Sequence, residues 1–207
     1  GSRGLGDVYK RQHHVLASLV RFTEAGGTYM LNGQEYVGIL NATNEILFNL
    51  GPTSEYWTQL MPKLTSYLGG AQMLTTLFRV PAIGLAMYHT SYLKNRKIAK
   101  GVILTCCLTA FLGNITEPLE FSFLFISPAL FILYCVMCGI GLLPYQLLKI
   151  SIGYIRGTIF DFGIFGLLYE NTHWIGLVVL GIFNFIVFYF VFKWFILKFE
   201  LETPGRE

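Results

Sequence analysis

Charge is what this sequence has little of. Only 13% of its 207 residues are Asp, Glu, Lys or Arg, about half the share found in an ordinary soluble domain. With 54% hydrophobic residues and a mean hydropathy of +0.55, that deficit points to a polytopic membrane protein. No basic face interleaved with aromatics occurs, and the net charge of +3 is small and scattered, so nucleic acid has no footing as a partner. Neither a His-Glu-x-x-His pattern nor a glycine-rich phosphate loop is present, so a metalloprotease and a nucleotide-driven pump lack support, and no metal or cofactor is expected. Cys106, Cys107, Cys135 and Cys138 all sit in apolar runs. Cys135-x-x-Cys138 has metal-like spacing but no second pair or His partner nearby, the mark of apolar packing. No signal peptide is visible.

What is present is a polar break in an apolar run. Gly113-Asn114-Ile115-Thr116-Glu117-Pro118-Leu119-Glu120-Phe121 interrupts an otherwise nearly unbroken hydrophobic stretch from Val102 to Leu143. Two carboxylates in hydrocarbon would each cost several kcal/mol, roughly, unless they line a protected, wet cavity. Pro118 disfavours helical geometry at Glu117 and favours a helix that begins at Pro118. The stretch therefore reads as a break between helices, where a carboxylate and free backbone groups converge on a polar ligand at membrane depth.

Along the chain, residues 1–12 are polar, basic and aperiodic and read as a non-native leader. His13 to Phe22 is apolar but too short to span. Gly26-Gly27 and Asn32-Gly33 mark turns around an extended or irregular stretch. Gly69 to Leu93 is a spanning candidate despite Arg79 and Pro81, and such an arginine faces a cavity or a neighbouring helix. Lys94, Arg96, Lys97 and Lys100 follow, which makes that loop cytoplasmic. Val102 to Leu112 reads as the first arm of a re-entrant hairpin, Leu119 to Pro144 as one crossing that Pro128 kinks, and Tyr145 to Glu170 as broken or lumen-lining. Gly153-x-x-x-Gly157 fits a helix-packing spacing poorly because it encloses Arg156. Trp174 to Leu197 is the clearest spanning helix, its Lys193 and Lys198 end cytoplasmic. The fold class is thus an all-α polytopic membrane protein with re-entrant hairpins.

Glu117 is the foremost candidate for chemistry, as a carboxylate that accepts hydrogen bonds from ligand hydroxyls. The competing reading makes it a helix N-cap or a buried partner for Arg79. Glu120, one turn on, either joins it or favours the positive helix end. Asn114 and Thr116 crowd the same break. His13-His14 offers an imidazole for proton transfer or ligand contact, and Arg21, Asn41, Asn44 and Glu45 are polar liners of a cavity. Asp161 is read as a structural partner of Arg156, and His89 and His173 as interface residues.

These residues resemble a known family. The break looks like the Gly-x-Thr-Glu-Pro-x-Glu-Phe signature of the membrane IIC component of the sugar phosphotransferase system, in its glucose/maltose/N-acetylglucosamine branch. His13-His14 matches the histidine doublet upstream of it. Pro81-Ala82-Ile83-Gly84-Leu85-Ala86-Met87-Tyr88 resembles the Gly-Leu-Pro-Ala-Ala-Ala segment, with Arg79-Val80 in place of Gly-Leu. Thr203-Pro204-Gly205-Arg206-Glu207 is similar to the passage into a linker before a cytoplasmic IIB domain. The resemblance implies a sugar-binding IIC domain over 13–200, a linker start at 201–207, and an N-terminal bundle absent from the chain. It implies group translocation across the bacterial inner membrane, with a hexose or glucoside bound by Glu117 and by His13 or His14; the polar residues Thr116, Asn114, Glu120, Arg21 and Asn44 are the further candidates for contact with it. The sugar hydroxyl attacks a phosphocysteine on a phosphorylated IIB domain. The implied partners are sugar, IIB, the lipid bilayer and a second copy in a homodimer, and the chain alone is expected to be inactive. The alternative is an ion-coupled secondary sugar transporter with Glu117 as its coupling site.

Overall fold

The computed structural model describes residues 18–206, apart from the side chains of Tyr67 and Gln146. It is mostly helical. Two helical runs form its spine. One covers residues 61–90, where π-helical turns at Ser66–Gly70 and Thr75–Arg79 alternate with the α-helical pieces Met61–Thr65, Ala71–Leu74 and Val80–Thr90. The other is Trp174–Lys198. Among the described residues this last helix is the one uninterrupted helix long and apolar enough to cross a membrane.

Each spine helix serves two apolar clusters. In the first, Met61, Leu64, Met73 and Leu74 meet Leu177 and Leu180, together with Ile46, Leu47, Trp57 and Tyr145. In the second, Val80, Ile83 and Met87 meet Phe188, Phe192 and Ile196, together with Ile103, Leu119, Phe123 and Tyr134. Gly181 lets the helices approach closely, since a Cβ there would overlap the Phe78 ring. Small residues at such crossings are a membrane-helix habit, because packing drives association where hydrophobicity cannot. The outward stripe of the last helix, Ile175, Val179, Ile182, Phe183, Ile186 and Phe190, is exposed. In water that patch would be a liability, and in hydrocarbon it is at home.

The structure revises several sequence expectations. An all-α chain is corrected by an antiparallel hairpin, β1 Thr28–Leu31 and β2 Gln34–Val37. Its turn is Asn32-Gly33, both residues at positive φ (49° and 81°), the geometry a two-residue hairpin loop needs. Val102 to Leu112 is not a short arm: the helix runs Arg96–Gly113 and takes Arg96, Lys97 and Lys100 into its first turns. Leu119 to Pro144 is not one helix but two, Glu117–Leu124 and Pro128–Ile140. Pro128 starts the second, and the Ser127 hydroxyl accepts from Leu130 N–H at 3.3 Å as its cap, so the proline begins a helix rather than kinking one. Tyr145 to Glu170 is indeed broken, into short helical pieces at Pro144–Leu147, Ile159–Asp161 and Phe162–Leu167. Gly153 and Gly157 lie in its non-helical part.

Candidate functional site

Asn114 ends the helix Arg96–Gly113 in the left-handed conformation, φ 56°. Its N–H donates to Ala110 O at 2.9 Å, and Ile115 N–H donates to Thr109 O at 3.3 Å, which satisfies the last carbonyls as a helix C-cap should. Three residues, 114–116, separate this end from the next helix. Thr116 takes the N-cap position without a side-chain bond, and Glu117-Pro118 forms the first turn. Leu119 and Phe123, both fully buried, pin the new helix to the second cluster. Glu117 is left half-buried at the head of the helix. Carboxylates are stabilised there by the dipole and the free N–H groups.

The competing partners proposed for Glu117 are engaged elsewhere. Thr116, not Glu117, occupies the cap. Arg79, 1% exposed, donates from Nε to Asn184 Oδ1 (3.0 Å), from Nη1 to Thr75 Oγ1 (3.3 Å) and from Nη2 to Cys138 O (3.0 Å), and lies 5.3 Å from the Phe188 ring centre. The Cys138 carbonyl belongs to the last turn of Pro128–Ile140, the negative end of that helix. Asn184 in turn donates to Gly141 O and Leu180 O. Arg79 therefore faces neighbouring helices, as its position beside Pro81 suggested.

Glu120 accepts a hydrogen bond from the buried Tyr134 phenol at 2.8 Å. That bond staples Glu117–Leu124 to Pro128–Ile140 across the intervening break. Asp161 is structural, but its partners are backbone: Oδ2 accepts from the N–H groups of Ile155, Arg156 and Gly157, a nest that satisfies a buried carboxylate without the Arg156 guanidinium. His89 Nδ1 lies 2.8 Å from Tyr189 Oη. His173 heads the last helix in a left-handed conformation and borders an open depression of about 550 Å³.

Asn44, Asn41 and Glu45 line an open groove of about 370 Å³ beside the hairpin. Glu35 and Asn49, which the sequence reading did not single out, line it too. Asn49 donates to Glu45 Oε2 at 2.7 Å, and the i, i+4 spacing of that pair was the available signal. The phenol of Tyr36 in the same groove sits above the usual tyrosine range, first through desolvation and then through the nearby Glu45 carboxylate. Arg21 lies apart from this groove, beside Tyr154 and Gln72. His13 and His14, like residues 1–12, lie outside the described residues. Asn114, Thr116, Glu117 and Glu120 are thus brought together at one break on the second cluster. Asn44 and Arg21 belong to the neighbourhood of the first.

With this geometry in hand, comparison with known proteins is informative. The family model "Phosphotransferase system, EIIC" matches residues 13–139. The chain is 36% identical to the "PTS system maltose-specific EIICB component" of Escherichia coli over 196 residues, 94% of this chain and 36% of that protein. It is 42% identical to the "PTS system glucose-specific EIICBA component" of Staphylococcus saprophyticus over 132 residues, 63% of this chain and 20% of that protein. The chain spans about a third and a fifth of these relatives' lengths.

Proposed function

Because the chain belongs to the EIIC family of the sugar phosphotransferase system, we propose that it binds a hexose or glucoside at membrane depth for group translocation. The observation that carries this reading is Glu117. It is a half-buried carboxylate at the head of a helix that opens from a three-residue break, and among the described residues nothing is hydrogen-bonded to it.

A sugar needs a strong acceptor and a few neutral donors in a largely dry pocket. Glu117 supplies the acceptor, and Asn114 and Thr116 supply an amide and a hydroxyl within the same break. Glu120 works mainly through its bond to Tyr134, which sets the helix that presents Glu117. His13 or His14 adds an imidazole, and Arg21 and Asn44 complete the lining. The sugar hydroxyl oxygen attacks the phosphorus of a phosphocysteine on a IIB domain. The P–S bond breaks, the cysteine leaves as thiolate, and the hydroxyl proton passes to Glu117 or to the imidazole. Positioning supplies most of the rate, as phosphoryl transfer requires. The fused organisation in the names of the EIICB and EIICBA relatives supports a IIB partner, and glucose and maltose are the sugars those names suggest. The protein works in the bacterial inner membrane and pairs with a second copy.

The test is sugar phosphorylation in vesicles that hold the full-length protein. Labelled sugar should become sugar phosphate only when phosphorylated IIB is supplied, and Glu117→Gln should abolish the conversion. Accumulation of free sugar under an ion gradient, with no phosphoryl donor, would instead establish the ion-coupled transporter.

A further inference from the structure

One part of the first cluster holds buried polar atoms that find no hydrogen-bond partner among the described residues. The phenol oxygens of Tyr145 and Tyr154, on side chains with no exposed surface, and Nε of Arg21 are all sealed from solvent without a hydrogen-bond partner among the described residues. The three are neighbours. The two phenols lie near each other, and the Arg21 guanidinium lies beside the Tyr154 phenol.

The π-helical turn Ser66–Gly70 makes room for them. A Cβ on Gly69 would overlap the Tyr154 ring, and one on Gly70 the Tyr145 ring, so the two glycines let both rings lie against the helix backbone. Such widened turns recur at functional sites. The polar side chains nearby do not come within hydrogen-bond distance of the Tyr145 and Tyr154 phenols. Thr65 donates to Met61 O at 2.9 Å. Gln72, with its amide oriented to satisfy both ends, accepts from Arg21 Nη2 at 3.1 Å and donates to Arg156 O at 3.2 Å. A buried polar atom that loses its hydration and gains no partner is strongly disfavoured, and native proteins rarely keep one, let alone three side by side.

We infer that Tyr145, Tyr154 and Arg21 enclose a binding site for a single hydroxyl oxygen, supplied either by a trapped water or by a hydroxyl of the sugar. The donor set fits such a guest. Arg21 Nε only donates, while each phenol donates or accepts. An oxygen with two lone pairs and at least one proton therefore engages all three, as buried waters commonly do. The guanidinium repels a metal cation. The sugar source rests on the function proposed above, whereas the water source stands without it.

Tyr145→Phe and Tyr154→Phe separate the possibilities, each followed by thermal unfolding in detergent without sugar and by equilibrium dialysis against labelled maltose. Removing an unpartnered hydroxyl from a dry core raises stability, and removing one that holds a guest lowers it. With a bound water, each variant melts below the wild type, the double variant falls by less than the sum, and maltose affinity is unchanged. With a sugar hydroxyl as guest, affinity falls about tenfold in either variant, the loss of one hydrogen bond of about 1.4 kcal/mol. Variants that melt at or above the wild type and bind maltose equally well overturn the site. So does a wild-type melting point that follows chloride concentration, since a halide would take the three donors instead. If the wild type binds no maltose, the proposed sugar function is in question while the melting data still decide the water site.

Discussion

Glu120 and Glu117 show how two carboxylates three residues apart acquire different work. Both sit in the first turn of one helix, yet Glu120 is committed to the buried Tyr134 phenol and Glu117 is not. Tyr134 is held in turn by the rings of Phe123, Phe188 and Phe192 at 5.4–6.3 Å. Glu120→Gln keeps an acceptor for the phenol and should leave thermal stability nearly unchanged. Glu120→Ala removes the phenol's carboxylate acceptor, leaves it only the weakly accepting Cys138 sulfur, and should cost about 1–3 kcal/mol, read as a lowered midpoint in detergent unfolding. The opposite pattern, with the glutamine variant unfolding early or both variants unfolding alike, would remove the staple from the account. The sequence disclosed that both acids were costly in an apolar run. It could not disclose that one of them meets a phenol fourteen residues on.

At the level of elements, the break 114–116 depends on a left-handed Asn114. Only glycine, and less readily Asn or Asp, adopts that conformation without strain. Asn114→Gly should therefore fold at least as well as the wild type, whereas Asn114→Val should lose about 1–2 kcal/mol, both measured by thermal unfolding. If the amide also contacts sugar, the glycine variant binds sugar more weakly at undiminished stability, which separates a conformational role from a ligand role. This break was legible, because Asn, Thr, Glu and Pro in sequence announce it. The helix boundaries around it were not. The start at Arg96 was hidden because its lysines and arginine looked like loop, although Arg96 finds a place over the Tyr88 ring at 4.9 Å. The second break, at Ser127-Pro128, carried a cap-and-proline signal that an apolar run on both sides obscured.

Across the whole molecule, Arg79 stands where the two apolar clusters meet. Val80, in the second cluster, follows it directly, and Asn184 lies between Leu180 of the first and Phe188 of the second. Arg79→Ala would strand Asn184 Oδ1 and the Cys138 carbonyl at that junction, at about 1–3 kcal/mol for each orphaned acceptor. The expected outcome is a clearly lowered unfolding midpoint. An unchanged midpoint with weakened sugar binding would instead assign the arginine to the ligand. The carboxy-terminal end is tied down in the same long-range manner. Arg206 donates to Thr90 O at 2.9 Å and covers the Tyr92 ring at 5.0 Å, while Tyr92 N–H donates to Gly205 O at 2.9 Å. The basic segment 94–100 and the end of the last helix thus share one end of the molecule, as their common positive charge led one to expect.

The sequence by itself determined what is local: the Asn32-Gly33 turn, the helix break with its glutamate, the unbroken helix that begins at Trp174, and the need for every charge in an apolar run to find a partner or a cavity. Those follow from backbone sterics and from the cost of desolvation, which act at a residue whatever surrounds it. Only the tertiary structure decided which partner each charge found. Arg79 reaches an asparagine 105 residues away, Asp161 is satisfied by backbone N–H groups instead of by the Arg156 guanidinium, and Glu117 is left half-buried at the head of its helix. Pairing depends on which side chains and carbonyls come within about 3 Å of one another, and that is fixed by packing over the whole chain.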